Sequence, residues 1–253
     1  MSSSQLSPDN WDQHWTDFSA VSDVAPATRY RHDIAIRLLD IKSEGAEVRM
    51  LDIGSGPGGF AEMFCSRFPK AALLGLDLSA AGIMRAAKRV PAGRFIQCDL
   101  MAPGEQPPFG ATHAVCAEVL EHLDDPVTFL RNATHFMGPD CQLVVTVPGG
   151  KPNDFDRYIG HRRHFSATEL KELLTTAGFE VDLATGAGFP FFNLYRLLTT
   201  WRGKKLVQDV CNPESLRLRA GMLVFGLLFR FNSMRCGWQT VALARYRSRA
   251  TGV

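Results

Sequence analysis

The 253-residue sequence predicts an α/β fold, an open and mostly parallel sheet with helices on both faces. Three observations carry this. Short apolar runs alternate with amphipathic stretches along most of the chain. The run CQLVVTVPGG (141–150) is nearly all apolar, as a strand buried on both faces should be. Finally, MLDIGSGPGGFAEMF (50–64) passes from an apolar run through a glycine cluster into a helical pattern.

The first 25 residues are polar but carry Trp11, Trp15 and Phe18, and read as a loose helical cap. RYRHDIAIRLLDI (29–41) has helical period, with Ile34, Leu38 and Ile41 on one face. EVRMLDI (47–53) is a strand entering the glycine turn, and GFAEMFCSRF (59–68) is the helix after it, stopped before Pro69. AALLGLDLS (71–79) is a second strand and AAGIMRAAKRV (80–90) a second helix. RFIQCDL (94–100) and THAVCAEVL (112–120) are the third and fourth strands. DPVTFLRNATHFM (125–137) is a helix with proline in its first turn.

After the fifth strand comes an irregular segment, KPNDFDRYIGHRRHF (151–165). SATELKELLTTAGF (166–179) is a helix opened by a Ser166–Glu169 capping box and closed by Gly178. EVDLATGAG (180–188) is a strand, and helices near 190–202 and 213–232 lead to a last strand in WQTVALARYR (238–247). GMLVFGLLF (221–229) is too short to span a bilayer. The whole divides into one domain: a cap (1–45), a ligand-binding core (46–185), a helical lid insert (186–235) and the final strand (236–247).

Apolar residues at 45% and charged residues at 21% are ordinary globular composition. The start MSSSQLSPDNWDQHW lacks basic and apolar segments, which argues against a secretory signal. Six scattered cysteines without a C-x-x-C pair favour a reducing compartment, against a disulfide framework or a zinc site. The expected location is therefore cytoplasmic. The net charge of +2 hides an asymmetry, because residues 196–253 hold eleven Lys and Arg against Asp209 and Glu214. Such a basic, apolar quarter suits an anionic partner or a membrane surface; a solvated face around core helices is the plainer reading.

Gly54, Gly56 and Gly59 satisfy the dinucleotide spacing G-x-G-x-x-G, which alone is weak evidence. Three acids redirect the reading. Asp52, two residues before the first glycine, suits a ligand with an ammonium near the loop. Asp77, ending the second strand, suits two ribose hydroxyls under either reading. Asp99, ending the third, can accept from an exocyclic adenine amine. Ammonium, ribose and adenine in that order describe S-adenosylmethionine.

LDIGSGPGG, LLGLDLS, CDL, AEVLEHLDDP and GHRRHFSATELKELLTTAGFEV, between Val48 and Val181, resemble the class I S-adenosylmethionine-dependent methyltransferases. The last two segments resemble the subgroup acting on small molecules, quinones, sugars and lipids. The resemblance implies a Rossmann-like seven-stranded sheet with the last strand antiparallel. It also implies that Gly54 and Gly56 approach the methionine part with Asp52 on its ammonium. Asp77 would bind the ribose with Leu78 against the adenine, Asp99 and Leu100 the adenine edge, and Glu118 would line the methyl-donor region.

Methyl transfer is an in-line displacement at a sulfonium, needing orientation and, for a protic acceptor, a base. Histidine suits that role. His161, His122 and His164 are the candidates, with His32 read as a surface residue beside the N-terminal helix. Asp124 and Asp125 read as a helix cap, and Asp154 and Asp156 as a turn, so no metal site is expected. The aromatic stretch FPFFNLYRLLTTW (189–201) would give an apolar pocket for an aromatic or lipid-linked acceptor. Basic residues interleaved with apolar runs argue against nucleic acid. Membrane contact, a dimer contact and plain core packing stand open for the tail. O-methylation is the leading expectation; N- or C-methylation, or a binding module without turnover, are the alternatives.

Overall fold

The computed structural model describes residues 10–16, 25–41, 47–153, 156–157, 159–202 and 216–247. One seven-stranded sheet comprises β1 (Arg49–Ile53), β2 (Ala72–Asp77), β3 (Arg94–Gln97), β4 (Ala111–Ala117), β5 (Met137–Pro148), β6 (Phe179–Ala187) and β7 (Gln239–Tyr246). Its order is β3-β2-β1-β4-β5-β7-β6. The first five strands pair in parallel, whereas β7 runs antiparallel to both β5 and β6. The helices are α1 (Pro26–Leu39), α2 (Gly59–Arg67), α3 (Ala80–Arg89), α4 (Pro126–Ala133), α5 (Ala167–Ala177), α6 (Phe191–Arg202) and α7 (Leu216–Leu228). Residues 11–16 are also helical, opened by the Asn10 side chain, which accepts from the Gln13 N–H at 3.0 Å.

Strand alternation sorts the core into two layers. Leu51, Ile53, Leu74, Leu76 and Val145 pack with Leu130 of α4 and Leu170 and Leu174 of α5. Met50, Leu73, Val115 and Val144 pack on the other face with Leu39 of α1 and Phe60 and Phe64 of α2. The same alternation puts Asp52 on the Met50 face, where it is 2% exposed. A polar side chain is thus driven into the sheet by its register.

The α5 boundaries are as expected: Ser166 Oγ accepts from the Glu169 N–H, the Ser166 N–H donates to Glu169 Oε2, and Gly178 closes the helix at φ 101°. Other boundaries differ, among them these. α1 starts earlier because Pro26 occupies its first turn, and it ends at Leu39 with Asp40 left-handed; Leu38 and Ile41 are only half-buried. α4 stops at Ala133, a 3-10 turn follows over Thr134–Phe136, and only Met137 of the residues expected to be helical joins the sheet, paired with Ala111 of β4. β3 ends at Gln97, leaving Asp99 and Leu100 in the turn beyond it. Phe18, Asp154 and Cys211 lie outside the described residues, and the five described cysteines are free. No helix among the described residues is long and apolar enough to cross a membrane.

Parallel strands deliver their following loops to one sheet edge, and the glycine turn is the first of these. Its constrained glycines are Gly54 (φ +74°), Gly56 (φ +49°) and Gly58 (φ +82°). A Cβ on Gly58 would stand 2.9 Å from Ala86 Cα of α3, whereas one on Gly59 would meet only side-chain atoms at 3.4 Å or more. The backbone therefore needs glycine at alternate positions, and Gly59, which completes the dinucleotide spacing, is a relaxed helical residue. Gly58→Ala should cost on the order of 1–3 kcal/mol. Gly59→Ala should cost nothing or stabilise. Urea unfolding midpoints decide this; an equal loss at both positions would contradict the assignment.

Candidate active site

A cavity of about 750 Å³ opens at the carboxyl ends of the strands, bounded by the glycine turn, the β2 and β3 ends, residues 11–16 and α6. The β1–α2 turn is folded back on β2: the Gly54 and Ser55 N–H groups both donate to Leu76 O, at 2.8 and 2.9 Å. The next amide, Gly56 N–H, donates to Asp77 Oδ2 at 2.7 Å, and the Ser79 N–H donates to Asp77 Oδ1 at 2.8 Å. Asp77 is thus fixed by one amide on each oxygen, with lone pairs left for a ligand. Burial raises its carboxyl above the usual range, the two amides opposing that shift.

Asp52 differs because the protein does not satisfy it. Its Oδ2 is buried without a hydrogen-bond partner, and the residue lines the cavity. Burial, aided by the charge of Asp77, pushes its carboxyl up to about 8. Leu78 is 47% exposed at the cavity wall. Asp99 and the buried Leu100 also line the cavity; Asp99 Oδ1 accepts from the Met101 N–H at 2.8 Å, and the Leu100 carbonyl accepts from Asn132 Nδ2. The 11–16 helix covers this side. Asp12 Oδ1 accepts from Ser79 Oγ (2.6 Å) and from the Ala81 N–H (3.0 Å), and Trp15 packs so close that a Cβ on Gly56 would lie 2.6 Å from it.

Opposite lies a second polar group. Glu118 leaves β4 in a left-handed conformation (φ 58°) that turns its carboxylate into the cavity. Glu118 Oε1 accepts from Thr146 Oγ1 (3.1 Å) and Gln239 Nε2 (2.8 Å), and Oε2 faces Arg31 Nε at 3.5 Å. Past Glu118, His122 Nδ1 meets Gly160 O at 3.1 Å, His164 Nδ1 meets Gly150 O at 3.2 Å, and His161 Nδ1 meets His164 Nε2 at 3.2 Å. Carbonyls only accept, so His122 and His164 carry their protons on Nδ1. His164 Nε2 then accepts from His161 Nδ1, which leaves Nε2 of both His122 and His161 without a proton.

Burial lowers all three imidazoles, His122 to about 4, so the rings are neutral. His122 and His161 line the cavity, and His164 supports His161 from behind. His32 is no surface residue: it lies edge-on to Phe60 in the cavity wall, and burial lowers it to about 3. Asp125 does cap α4, accepting from the Thr128 N–H, while Asp124 pairs with Arg162.

Asp156 is more than a turn residue. Its Oδ2 binds Arg196 (3.2 Å) and the Asn153 N–H (2.9 Å), and faces His164 Nε2 at 3.4 Å. Sequence reading also missed Glu121, which is fully buried with both carboxylate oxygens unpartnered; burial first, then Glu118, pushes it well above the carboxylate range. Its one signal was a carboxylate directly before His122 in the short stretch VLEHL. Arg31, Arg196, Thr146 and Gln239 come from distant elements and carried no local signal at all.

A glycine cradle, an orphaned carboxylate beside it, an amide-fixed acid after β2 and another acid after β3, on this strand order, define a class I S-adenosylmethionine-dependent methyltransferase. Residues 26–184 match the methyltransferase domain family, and the chain belongs to it. It is 33% identical over 103 residues to a trans-aconitate 2-methyltransferase of Methylobacterium nodulans, covering 41% of this chain and 39% of that protein. Over 162 residues it is 28% identical to a Mycolicibacterium smegmatis protein named as a probable S-adenosylmethionine-dependent methyltransferase, covering 62% and 60%. Both alignments thus span less than two thirds of the relatives' own lengths.

Among solved structures, phosphoethanolamine N-methyltransferase 2 of Haemonchus contortus with S-adenosyl-L-methionine superposes at a TM-score of 0.66, 16% identity, covering 96% of this chain and 60% of that one. The N-methyltransferase NodS of Bradyrhizobium japonicum with S-adenosyl-L-homocysteine gives 0.58 at 19% identity, covering 95% and 100%. These two likenesses establish the fold.

Asp52 generates a pH prediction. Folded, its carboxyl keeps its proton up to about pH 8; unfolded, it releases it near 3.8. The unfolded chain binds fewer protons between those values, so the ligand-free fold loses stability as pH rises through that window. Asp52→Asn removes this dependence. Its stability relative to the wild type should grow by about 1.4 kcal/mol per pH unit up to about pH 8. Denaturation at pH 5, 6, 7 and 8 tests it; a constant difference would show that Asp52 does not titrate there.

Proposed function

We propose that the protein transfers the methyl group of S-adenosylmethionine to an oxygen of a small, largely apolar acceptor. The observation that carries the donor half is Asp52: a buried carboxylate oxygen with no protein partner, beside the glycine cradle, is costly unless a cation satisfies it. The ammonium of the donor would do so, with Asp77 on the ribose hydroxyls, Leu78 against the adenine, Asp99 and Leu100 at its edge, and Gly54 and Gly56 under the methionine part.

On the acceptor side the reading rests on the unprotonated Nε2 atoms of His161 and His122. A hydroxyl placed against His161, or secondarily His122, would lose its proton as it attacks the methyl carbon. The C–S bond then breaks with its electron pair remaining on sulfur. His164 would position His161 through the ring-to-ring hydrogen bond. Arg31 and Arg196 are already matched by Glu118 and Asp156, which favours an uncharged acceptor over a carboxylate. Phe192, Tyr195 and Met222, from α6 and α7, line the same cavity and support residues 186–235 as the substrate lid, beside a cap (1–45) and core (46–185).

The outer side of that lid carries Leu194, Leu197, Leu198 and Trp201 at helical spacing, with Trp201 84% exposed. With the basic charge of the C-terminal quarter, this face supports docking on an anionic bilayer, from which a lipid-linked acceptor would enter. Trp201→Glu should abolish sedimentation with phosphatidylglycerol vesicles without altering donor binding. Vesicle-independent dimerisation that the variant disrupts would assign the face to a second copy.

The donor half is tested by calorimetry with S-adenosylmethionine, its demethylated product and NADH. Micromolar binding of the two sulfur ligands, lost in Asp77→Ala, is expected. NADH binding alone would overturn the reading. With phenols as trial acceptors, His161→Ala and His122→Ala, made separately, should slow turnover while sparing donor binding; unimpaired turnover in both would overturn the assignment of the base.

A further inference from the structure

Glu121 has no task in the scheme above, yet it is fully buried and neither carboxylate oxygen has a hydrogen-bond partner. It does not pair with the nearest imidazole, because 3.9 Å from Glu121 Oε1 to His161 Nε2 exceeds hydrogen-bond reach. One ligand atom each from Glu121, His122 and His161 lies within 4.8 Å of the others. We propose that these three residues bind a divalent transition-metal cation whose open position faces the cavity and takes the acceptor's oxygen. The proposal rests on the methyltransferase reading and deepens it: with the ion held on both Nε2 atoms, its bound hydroxide takes the place of the free imidazole as the base that prepares the acceptor hydroxyl.

The hydrogen bonds already made select this site. Two side-chain groups have cation-holding spacing among the described residues, and they share His161. In the other, Asp156 Oδ2 is taken by Arg196 and the Asn153 amide, and His164 Nε2 by His161. In the first, every donor atom is free. Gly160 O fixes His122 Nδ1–H, and His164 fixes His161 Nδ1–H, so both Nε2 lone pairs point away from their supports. That is the arrangement by which outer groups orient metal-binding histidines.

The charge and spacing agree. Two neutral imidazoles and one carboxylate present a single negative charge to the ion. Ligands about 2.0–2.2 Å from one ion stand about 3–4 Å apart, so side-chain adjustments of an ångström or so close the site. Two nitrogens and an oxygen favour zinc, cobalt, iron or manganese over magnesium. His122 and His161 line the cavity while Glu121 lies behind them, which leaves the ion's remaining positions toward the ligand.

The chemistry balances without an oxidant or reductant. A metal-bound hydroxide takes the acceptor's proton and leaves as water, and the acceptor oxygen replaces it as alkoxide or phenolate. That oxygen then forms the C–O bond as C–S breaks, yielding the methyl ether and a neutral thioether.

Cobalt(II) titration of chelator-treated full-length protein tests the site, read by visible absorption and by zinc competition. One equivalent should bind, with zinc displacing it. Glu121→Gln and His161→Ala should each weaken binding by more than tenfold, whereas His164→Ala, which removes only a support, should cost about tenfold. No wild-type binding tighter than millimolar overturns the proposal, as does binding that Glu121→Gln leaves intact while donor binding shows the variant folded. Cobalt binding that survives Glu121→Gln but not His164→Ala would move the ion to the Asp156 group and equally refute it. Because donor binding is measured separately, retained S-adenosylhomocysteine binding without cobalt sinks the cation alone. Cobalt binding without sulfur-ligand binding sinks the methyltransferase reading alone.

Discussion

An acid sits in the middle of the sheet where the strand register leaves it no exit. β1 lies between β2 and β4, and its alternation turns Met50 and Asp52 to one face, beneath α1 and α2. Burying a carboxylate there is costly, and the surrounding chain is arranged around that cost. Glycines at alternate positions let the following turn fold back on Leu76, so the backbone passes close to the acid without covering it. Asp77, held by the amide of Gly56, is tied to the same turn. Asp52 and Asp77 are therefore coupled by geometry and by charge.

The far side of the cavity follows another logic. There the polar groups come from β4, β5, β7, α1 and α6, and each is held by a partner far away in sequence. Glu118 is fixed by Thr146, Gln239 and Arg31, and Asp156 by Arg196 and Asn153. Side chains held this way keep their direction without a ligand. Among the described residues there, His122, His161 and Glu121 keep uncommitted atoms.

This contrast explains what could be read from the sequence. The sheet, its helices and the glycine turn follow from periodicity, and Asp52, Asp77 and Asp99 follow from their places at strand ends. Those are local signals. The G-x-G-x-x-G match was misleading in one respect: Gly58, not Gly59, is the constrained residue, since the clash that enforces it comes from Ala86 on the next helix. Helix α4 ends earlier than its local pattern because its last turn tightens to a 3-10 turn over Thr134–Phe136 before Met137 pairs with Ala111. Glu121 and Asp156 were passed over because their significance lies in what surrounds them, and the surroundings are assembled by the fold.

Strand β7 has one more consequence. It lies between β5 and β6, although it is the last strand in chain order, and β6 joins the sheet only through it. While the chain is being synthesised, the first five strands can assemble in sequence, but β6 must wait without a neighbour until some fifty further residues have emerged. Gln239, at the start of β7, then delivers its amide to Glu118. The polypeptide thus completes its sheet and the support of Glu118 in the same late event, and a nascent chain halted before that strand has its glycine turn but a Glu118 held by Thr146 and Arg31 alone.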